Sequence, residues 1–534
     1  MRIVTPLEMR EMDARATSEF LIPEEILMER AGMAVSSACR EILGASSQVS
    51  RRIVALAGPG HNGADALVAL RDLASRGYPG EAILLSSDVR GGTASARECS
   101  RLERMGVSVI FWSDPGARHR VSHAALVIDG LFGTGFRGEG PAGGAREMIE
   151  ATNRAGASGV PVICVDIPSG VDGLTGAVPG VAIRGLRTVT FGAPKWGLLC
   201  DPGTRYAGEI YLSLIGFPRE LLAGGNLSCL IPAEARELIP PRSPSVHKGE
   251  AGHVLIAGGS SGKTGAVILA ARGALRAGSG LVTVLWDRAF GECALSLPEV
   301  MTMAVDAGSL SPGTVLEATM RMDAVACGPG GEEGEVGRRL VEALLSDYPG
   351  PLVGDASLFT LFAGTPERIA SLRKGPLVLT PHPGELGRLL GRETALILSD
   401  PLAAAREGAE RTGAVLLLKG ARTHVVGPEG QTSLNLTGDP VMAGPGMGDV
   451  LTGVIASLLG QGLAPFDAAR LGAFVHGLAG ERLARGATRG RLASELADDL
   501  PGVLFDLSSG AASSAGQLAP PDPALFWPFL GGRG

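Results

Sequence analysis

From Ile53 onward, the chain alternates two kinds of segment. Short, predominantly apolar runs (IVALAG from Ile53, EAILLSS from Glu81, VSVIFW from Val107, ALVIDG from Ala125 and VPVICVD from Val160) are separated by stretches where apolar residues return every three or four positions. The first pattern predicts strands buried on both faces, and the second predicts helices over about 64–75, 93–105 and 144–156. Two further helices are predicted within 5–43, one face carried by Met9, Met12 and Ala16, the next by Ile26, Leu27, Ala31 and Val35. Continuous apolar strands spaced by helices imply an α/β fold with a parallel sheet covered on both sides.

Prolines in IPAEARELIPPRSPSVHKG interrupt this order, and a second series starts at HVLIAGG. It continues through LVTVLW, AVACGPG, LVGDASL, LVLTPHPGEL, AVLLLKGA and THVVGPEG, then closes with two apolar helices in GPGMGDVLTGVIASLLGQGL and AARLGAFVHGLAGERL. The expected organisation is a domain over 1–220, a joint over 221–246, a second domain over 247–507, and a tail over 508–534. That tail, rich in Ser, Pro and Gly, is expected to pack loosely.

In parallel sheets ligands bind beyond the carboxyl ends of strands. In the first domain those ends are Gly58–Asp65, Asp129–Gly138 and Asp166–Asp172. In GPGHNGADALV, Gly58 and Gly60 let backbone N–H groups and a helix start face an anion, with Asn62 and Asp65 beside them; the alternative is a tight turn whose helix Asp65 caps. The DGLFGTGFRG loop has no GxGxxG followed by a ribose-binding acid, so it is not a dinucleotide fingerprint of the usual kind. Asn62, Asp129 and Ser169 offer hard oxygens to a monovalent cation or to ordered water, and Asp166 offers an acid or base.

The second domain carries GGSSGKTGA, which imitates a phosphate-binding P-loop. The glycine that motif needs five residues before Gly262 is Ala257, so the match fails, and the glycines around Gly273 are expected to serve close helix packing. The stronger signal is GPGMGDVLTGV. Three glycines lead to Asp449 at a helix start, where backbone N–H groups stabilise a transferring phosphoryl group and a carboxylate takes a hydroxyl proton; as a plain helix cap Asp449 would also be ordinary. His382 and Glu385 in LTPHPGEL, and Lys419, Gly420 and Thr423 in LLLKGART, end neighbouring strands and complete such a site, although His382 alone suits a turn residue between prolines.

Composition narrows the class. A formal charge of -7 gives no general attraction to nucleic acid or anionic lipid, and no apolar run is long enough for a membrane span. The start lacks the apolar core of a signal peptide. Seven cysteines are scattered without a CxxC pair, as expected of buried thiols in a reducing compartment, with the cytoplasm as default. Only five lysines occur, and four lie in glycine-rich or proline-flanked stretches, which directs attention to phosphate contacts there.

Several motifs in series carry a family resemblance. LMERAG, GPGHNGAD, DGLFGTG, DIPSGVDGLTG and TFGAPKWGLL make residues 5–215 similar to the YjeF N-terminal family, the epimerase of hydrated NADH and NADPH, and imply a Rossmann-like three-layer domain. HKGEAGHVLIAGGS, LPEVMT, ACGPG, LTPHPGEL, LLLKGA, NLTGDPVMAGPGMGDVLTG and FVHGLAGE make residues 230–505 resemble the ADP-dependent NAD(P)H-hydrate dehydratase family, which has a ribokinase-like fold.

By that resemblance His61, Asn62, Gly63 and Asp65, with Gly133, Thr134, Gly135 and Phe136, hold the hydrated dinucleotide. Asn62, Asp129 and Ser169 bind K+, and Asp166 contacts the hydrated ring. In the second domain Ala266, Gly330 and His382 contact the hydrated dinucleotide. Lys419, Gly420, Ala421, Thr423 and Gly448 contact the nucleotide, and Asp449 is the catalytic acid/base. The chain departs from the family pattern at His61, Ala64, Ala66, Ser357, Thr360 and Met447.

The implied function is repair of NAD(P)HX: epimerisation at C6, then dehydration driven by phosphoryl transfer from ADP with Mg2+, in a homo-oligomer. The alternative is a ribokinase-like small-molecule kinase fused to a non-catalytic binding or scaffold module.

Overall fold

The computed structural model describes residues 1–44, 51–90, 94–287, 297–305, 312–510 and 527–529. The chain divides between Gly225 and Asn226 into two compact units. The boundary falls inside the expected joint over 221–246, but Leu227–Cys229 already forms a strand of the second sheet.

In the first unit, β1 (Ile53–Ala57), β2 (Gly80–Leu84), β3 (Ser108–Phe111), β4 (Leu126–Gly130), β5 (Val162–Val165), β6 (Arg187–Phe191) and β7 (Glu209–Ser213) are joined by parallel pairings in the order β7-β6-β5-β4-β1-β2-β3. Apolar side chains on both faces enter two clusters, so a strand buried throughout reads as an uninterrupted apolar run. The expected helices appear at His61–Ser75, Ala94–Arg104 and Gly143–Ala157. Helix Pro6–Ser18 starts with a capping box, Glu8 N–H to Thr5 Oγ1 and Thr5 N–H to Glu8 Oε2.

Met9, Met12, Ala16, Leu27, Ala31 and Val35 are buried as expected, whereas Ile26 is 48% exposed. It lies in the first turn of helix Glu24–Leu43, and the position after it, Leu27, takes the inward direction.

Strands β6 and β7 carry no continuous apolar run. RTVTF is buried because Arg187 pairs with Glu41 at 2.9 Å and Glu209 at 2.7 Å and stacks on Tyr211, while the Thr188 hydroxyl donates to Ala207 O at 2.7 Å. Partners distant in sequence make these polar positions internal.

The second unit contains β8 (Leu227–Cys229), β9 (His253–Ala257), β10 (Leu281–Asp287), β11 (Met301–Val305), β12 (Ala324–Cys327), β13 (Leu352–Gly354), β14 (Leu377–Leu379), β15 (Val415–Leu418), β16 (Thr423–Val426) and β17 (Thr432–Asn435). Their order is β11-β10-β9-β12-β13-β14-β15-β16-β17-β8, with antiparallel pairing only on the two sides of β16. Helix Thr264–Arg276 packs against helix Met447–Gly460 through glycines. A Cβ at Gly453 would meet Ala270 O at 1.9 Å and one at Gly273 would meet Val450 O at 2.5 Å, so both helices need bare backbone there.

The tail expected over 508–534 contributes regular structure at both ends of its described part. Residues 508 and 509 complete helix Ala493–Ser509, and β18 (Trp527–Phe529) pairs antiparallel with β7; the rest of the tail, apart from Gly510, lies outside the described residues. The six described cysteines are buried, while Cys293 lies outside the described residues. Among the described residues no helix is long and apolar enough to cross a membrane.

Candidate active sites

Strand order reverses between β1 and β4 in the first sheet, and the loops after these strands diverge to leave a crevice. The cleft there measures about 750 Å³ and is lined by His61, Asn62 and Asp65 after β1, Gly133–Phe136 after β4, Asp166 after β5 and Lys195 after β6. It thus brings together the dinucleotide contacts expected from sequence. Gly63 does not line it, but a Cβ there would strike Gly58 O at 2.1 Å, so this glycine sets the turn. Gly133 is equally constrained, because a Cβ would meet Asn62 Oδ1 at 2.5 Å. The Ala66 methyl is the atom a side chain at Gly130 would strike, and both Ala64 and Ala66 are buried outside the cleft lining. Their departure from glycine therefore leaves the ligand side of the loop unchanged.

Helix His61–Ser75 is preceded by Gly60 as its cap residue, so Asp65 is not the cap. It is a buried carboxylate facing the cleft. Burial first, then the charges of Asp166 and Asp13, hold its pKa well above the usual range.

Asp166 sits at φ 64°, a left-handed conformation unusual for a non-glycine residue, in the turn just after β5. Its Oδ1 accepts from Thr190 Oγ1 at 3.0 Å, Phe191 N at 3.2 Å and Lys195 Nζ. Lys195 is 1% exposed, and its remaining bonds go to Phe191 O at 2.8 Å and Thr190 Oγ1 at 3.3 Å. Sequence reasoning passed over this lysine as a site residue. Its signal was available, as one of five lysines standing in the TFGAPKWGLL motif. Asp13, on the first helix, also lines the cleft and lay in no loop motif.

Asn62, Asp129 and Ser169 meet as expected. Ser169 donates from Oγ to Asp129 Oδ1 at 2.6 Å and from N to Oδ2 at 2.9 Å. Phe132 ties the group together: its O accepts from Asn62 Nδ2 at 2.9 Å and Ser169 Oγ at 3.3 Å, and Asn62 Nδ2 also reaches Val165 O at 2.6 Å. Asp129 is fully buried, and burial raises its pKa against the lowering by these hydrogen bonds. Among the described residues no cationic side chain pairs with it. A buried anion among hydroxyl and carbonyl oxygens, balanced only by neutral donors, has the chemistry that suits a monovalent cation.

In the second unit Gly330 and Ala266 are neighbours at the corresponding switch between β9 and β12; a Cβ on Gly330 would lie 2.9 Å from Ala266 Cβ. Ser260 Oγ donates to Gly330 O at 2.9 Å. The loops after β12 and β13 are close enough that a Cβ at Gly328 would sit 1.9 Å from Asp355 O.

Asp355 then leads to the charged centre, accepting from Lys419 Nζ at 2.8 Å and Thr452 Oγ1 at 2.8 Å. Lys419 Nζ is 3.7 Å from Glu385 and would be 3.3 Å from a Cβ at Gly448. Burial disfavours the Lys419 charge, but Asp355, Glu385 and Asp449 outweigh it and raise its pKa.

Asp449 lies in the first turn of its helix, after Gly446 at φ 85°, and is half-buried rather than turned into the core. Burial, then Asp355, pushes its pKa up to about 6 against the opposing pull of Lys419. Asp355 is the aspartate that DASLFT keeps beside the departures at Ser357 and Thr360, a motif that gives it no role by itself, and Thr452, a helical threonine, carries no motif.

His382 is chiefly a helix cap. Its Nδ1 accepts from Gly384 N at 3.0 Å and Glu385 N at 3.2 Å, while its ring stays 54% exposed. Gly420 and Ala421 form an exposed loop closed by Thr423 Oγ1 donating to Gly420 O at 3.2 Å. Of the departures, Ser357 donates to Gly328 O at 3.2 Å, Thr360 accepts from Arg388 at 3.1 Å, and Met447 is buried.

Comparison with known proteins matches both units. The NAD(P)H-hydrate dehydratase family matches residues 254–502, and the YjeF-related protein N-terminus matches residues 24–197. A bifunctional NAD(P)H-hydrate repair enzyme from Moorella thermoacetica is 41% identical over 95% of this chain and 97% of its own length. The chain belongs to this family. The enzyme is also 34% identical to the bifunctional NAD(P)H-hydrate repair enzyme of Escherichia coli, over 90% of this chain and 89% of that one. An ADP/ATP-dependent NAD(P)H-hydrate dehydratase from Bacillus subtilis, crystallised with ATP and Mg2+, aligns with a TM-score of 0.48 and 30% identity, covering 53% of this chain and 100% of its own.

Proposed function

We propose that the first unit interconverts the 6R and 6S epimers of NADHX and NADPHX, and that the second dehydrates the 6S epimer with ADP as phosphoryl donor, releasing NAD(P)H, AMP and phosphate. The observation that carries the dehydratase reading is Asp449, a half-buried carboxylate beside Lys419 at a glycine-formed helix start. Asp449 takes the proton of the C6 hydroxyl as its oxygen attacks the terminal phosphorus of ADP, and AMP departs. The C6–O bond then breaks with phosphate as leaving group while the C5 proton is lost, restoring the ring double bond. Hydroxide leaves poorly and phosphate leaves well, which is why a dehydration employs a kinase-like site.

Lys419 supplies a positive charge near the transferred group, and the amides of 446–449 point from the helix start. Asp355 and Thr452 hold Lys419 in place. Ala266, Gly330 and His382 contact the hydrated dinucleotide, while Gly420, Ala421, Thr423 and Gly448 contact the nucleotide. Mg2+ held at the nucleotide phosphates beside Lys419 would supply further charge neutralisation there.

In the first unit Asp166 moves the proton at C6, and Asn62, Asp129 and Ser169 hold K+ near the loop after β4. His61, Asp65 and Thr134–Phe136 line the dinucleotide path. The enzyme acts in the cytoplasm as a homo-oligomer, a state that light scattering of the purified chain checks.

The test is incubation of the full chain with mixed epimers, ADP, Mg2+ and K+, following the near-ultraviolet absorbance of reduced nicotinamide. Recovery of both epimers is expected. Recovery that halts at the 6S share overturns the epimerase, and a stable phosphorylated product overturns the dehydratase.

A further inference from the structure

Asp13 is, with Glu24, a cleft carboxylate of the first unit that stands on a helix outside the loop motifs, in a cleft that Arg10 and Arg137 also line. Three aspartates, Asp13, Asp65 and Asp166, line the same cleft, and a single buried ammonium, Lys195, is hydrogen-bonded to one of them. Asp13 stands on helix Pro6–Ser18, an element separate from the strand-end loops that carry the other two, and is half-buried. The charged groups facing it are Lys195 and Asp166 across the cleft, His61 and Asp65 on the helix after β1 and Glu24 on the second helix. Burial, ahead of these charges, raises its pKa to about 6, so a proton is retained there to higher pH than on an ordinary aspartate.

We propose that Asp13 is a catalytic residue of epimerisation, working with Asp166 as an acid and base pair on the substrate's C6 hydroxyl. This rests on the epimerase reading above. In one direction the Asp13 carboxylic acid protonates the C6 hydroxyl, and the C6–O bond breaks with its electron pair leaving on water. The lone pair of ring N1 closes the N1=C6 iminium. Water adds to the opposite face of C6, N1 recovers its lone pair, and the added water yields its excess proton to the Asp166 carboxylate. The proton returns from Asp166 to Asp13 through water in the cleft, so nothing is consumed. Lys195 positions Asp166 and balances its charge before the proton arrives.

The test uses the full chain without ADP, so that dehydration is off, and resolves the two epimers by chromatography over time. Asp13→Asn should lower kcat for interconversion at least about 100-fold with KM changed less than about threefold. Asp13→Glu should recover part of it. In the unaltered enzyme kcat should fall as pH rises above about 6, and Asp13→Asn should lose that limb. The unchanged KM, with an unaltered melting curve, excludes a misfolded cleft as the cause. Were Asp13→Asn to keep both rate and pH limb while the unaltered enzyme interconverts the epimers, the role of Asp13 would be overturned and the epimerase would stand. An unaltered enzyme that leaves the epimers unchanged overturns the epimerase and this role together.

Discussion

Both units set one lysine against one aspartate and leave a second aspartate with a pKa near 6, yet the aspartate that matters differs. In the first unit Lys195 pairs with Asp166, the residue at a left-handed turn over the cleft, and Asp13 is raised to about 6 beside Asp65, which burial also raises. In the second, Lys419 pairs with Asp355, which Thr452 anchors to the helix carrying Asp449, and Asp449 is the raised one. Lys195 is 1% exposed and Lys419 is 20% exposed on its side chain. A buried lysine with every bond used inside the protein serves to hold a carboxylate. A lysine with part of its surface free is available to phosphate oxygens. In the proposed reactions the same pair of residue types thus serves proton transfer in one unit and phosphoryl transfer in the other.

The difference is broken most sharply at Asp449. Asp449→Asn should lower dehydration about 10³-fold while leaving epimer interconversion untouched, measured by the two assays on one preparation. Lys195→Met should do the reverse. Removing one member of a buried pair should destabilise the first unit by about 3–5 kcal/mol and abolish interconversion, and calorimetry should show the second unit's transition in place. Equal loss of both activities in either variant would mean that the units do not act separately.

The pH profiles sharpen the contrast. In the proposed dehydration Asp449 is the base, so its deprotonated form is required. With its pKa raised to about 6, dehydration kcat should rise with pH through that value and level off above it, the opposite slope from interconversion. The smallest effect is expected at Gly448. Gly448→Ala puts a methyl 3.3 Å from Lys419 Nζ. An overpacking penalty near 1.4 kcal/mol would raise KM for ADP about tenfold with kcat changed little, read from steady-state kinetics.

The fold was legible wherever burial was complete and local. Strands β1, β4 and β5, and β9, β12 and β15, are apolar enough along their length for the run itself to betray them. Strand β6 was not, since its polar residues are made internal by partners far along the chain, as Arg187 is by Glu41 and Thr188 by Ala207. Ile26 failed for a related reason: a helical period gives a stripe but not which edge of it meets the core.

For the sites, the sequence by itself determined the loops. Glycine patterns and strand ends placed Asn62, Asp129, Ser169, Lys419 and Asp449 at rims where a ligand meets backbone amides, because glycine and capping chemistry act over a few neighbouring residues. Only the tertiary structure decided how charges are shared. Lys195 with Asp166, Lys419 with Asp355, and the approach of Asp13 to both Lys195 and Asp166 join residues from separate elements. Burial and mutual field set their proton affinities, and those quantities depend on distances through space that spacing along the chain does not encode.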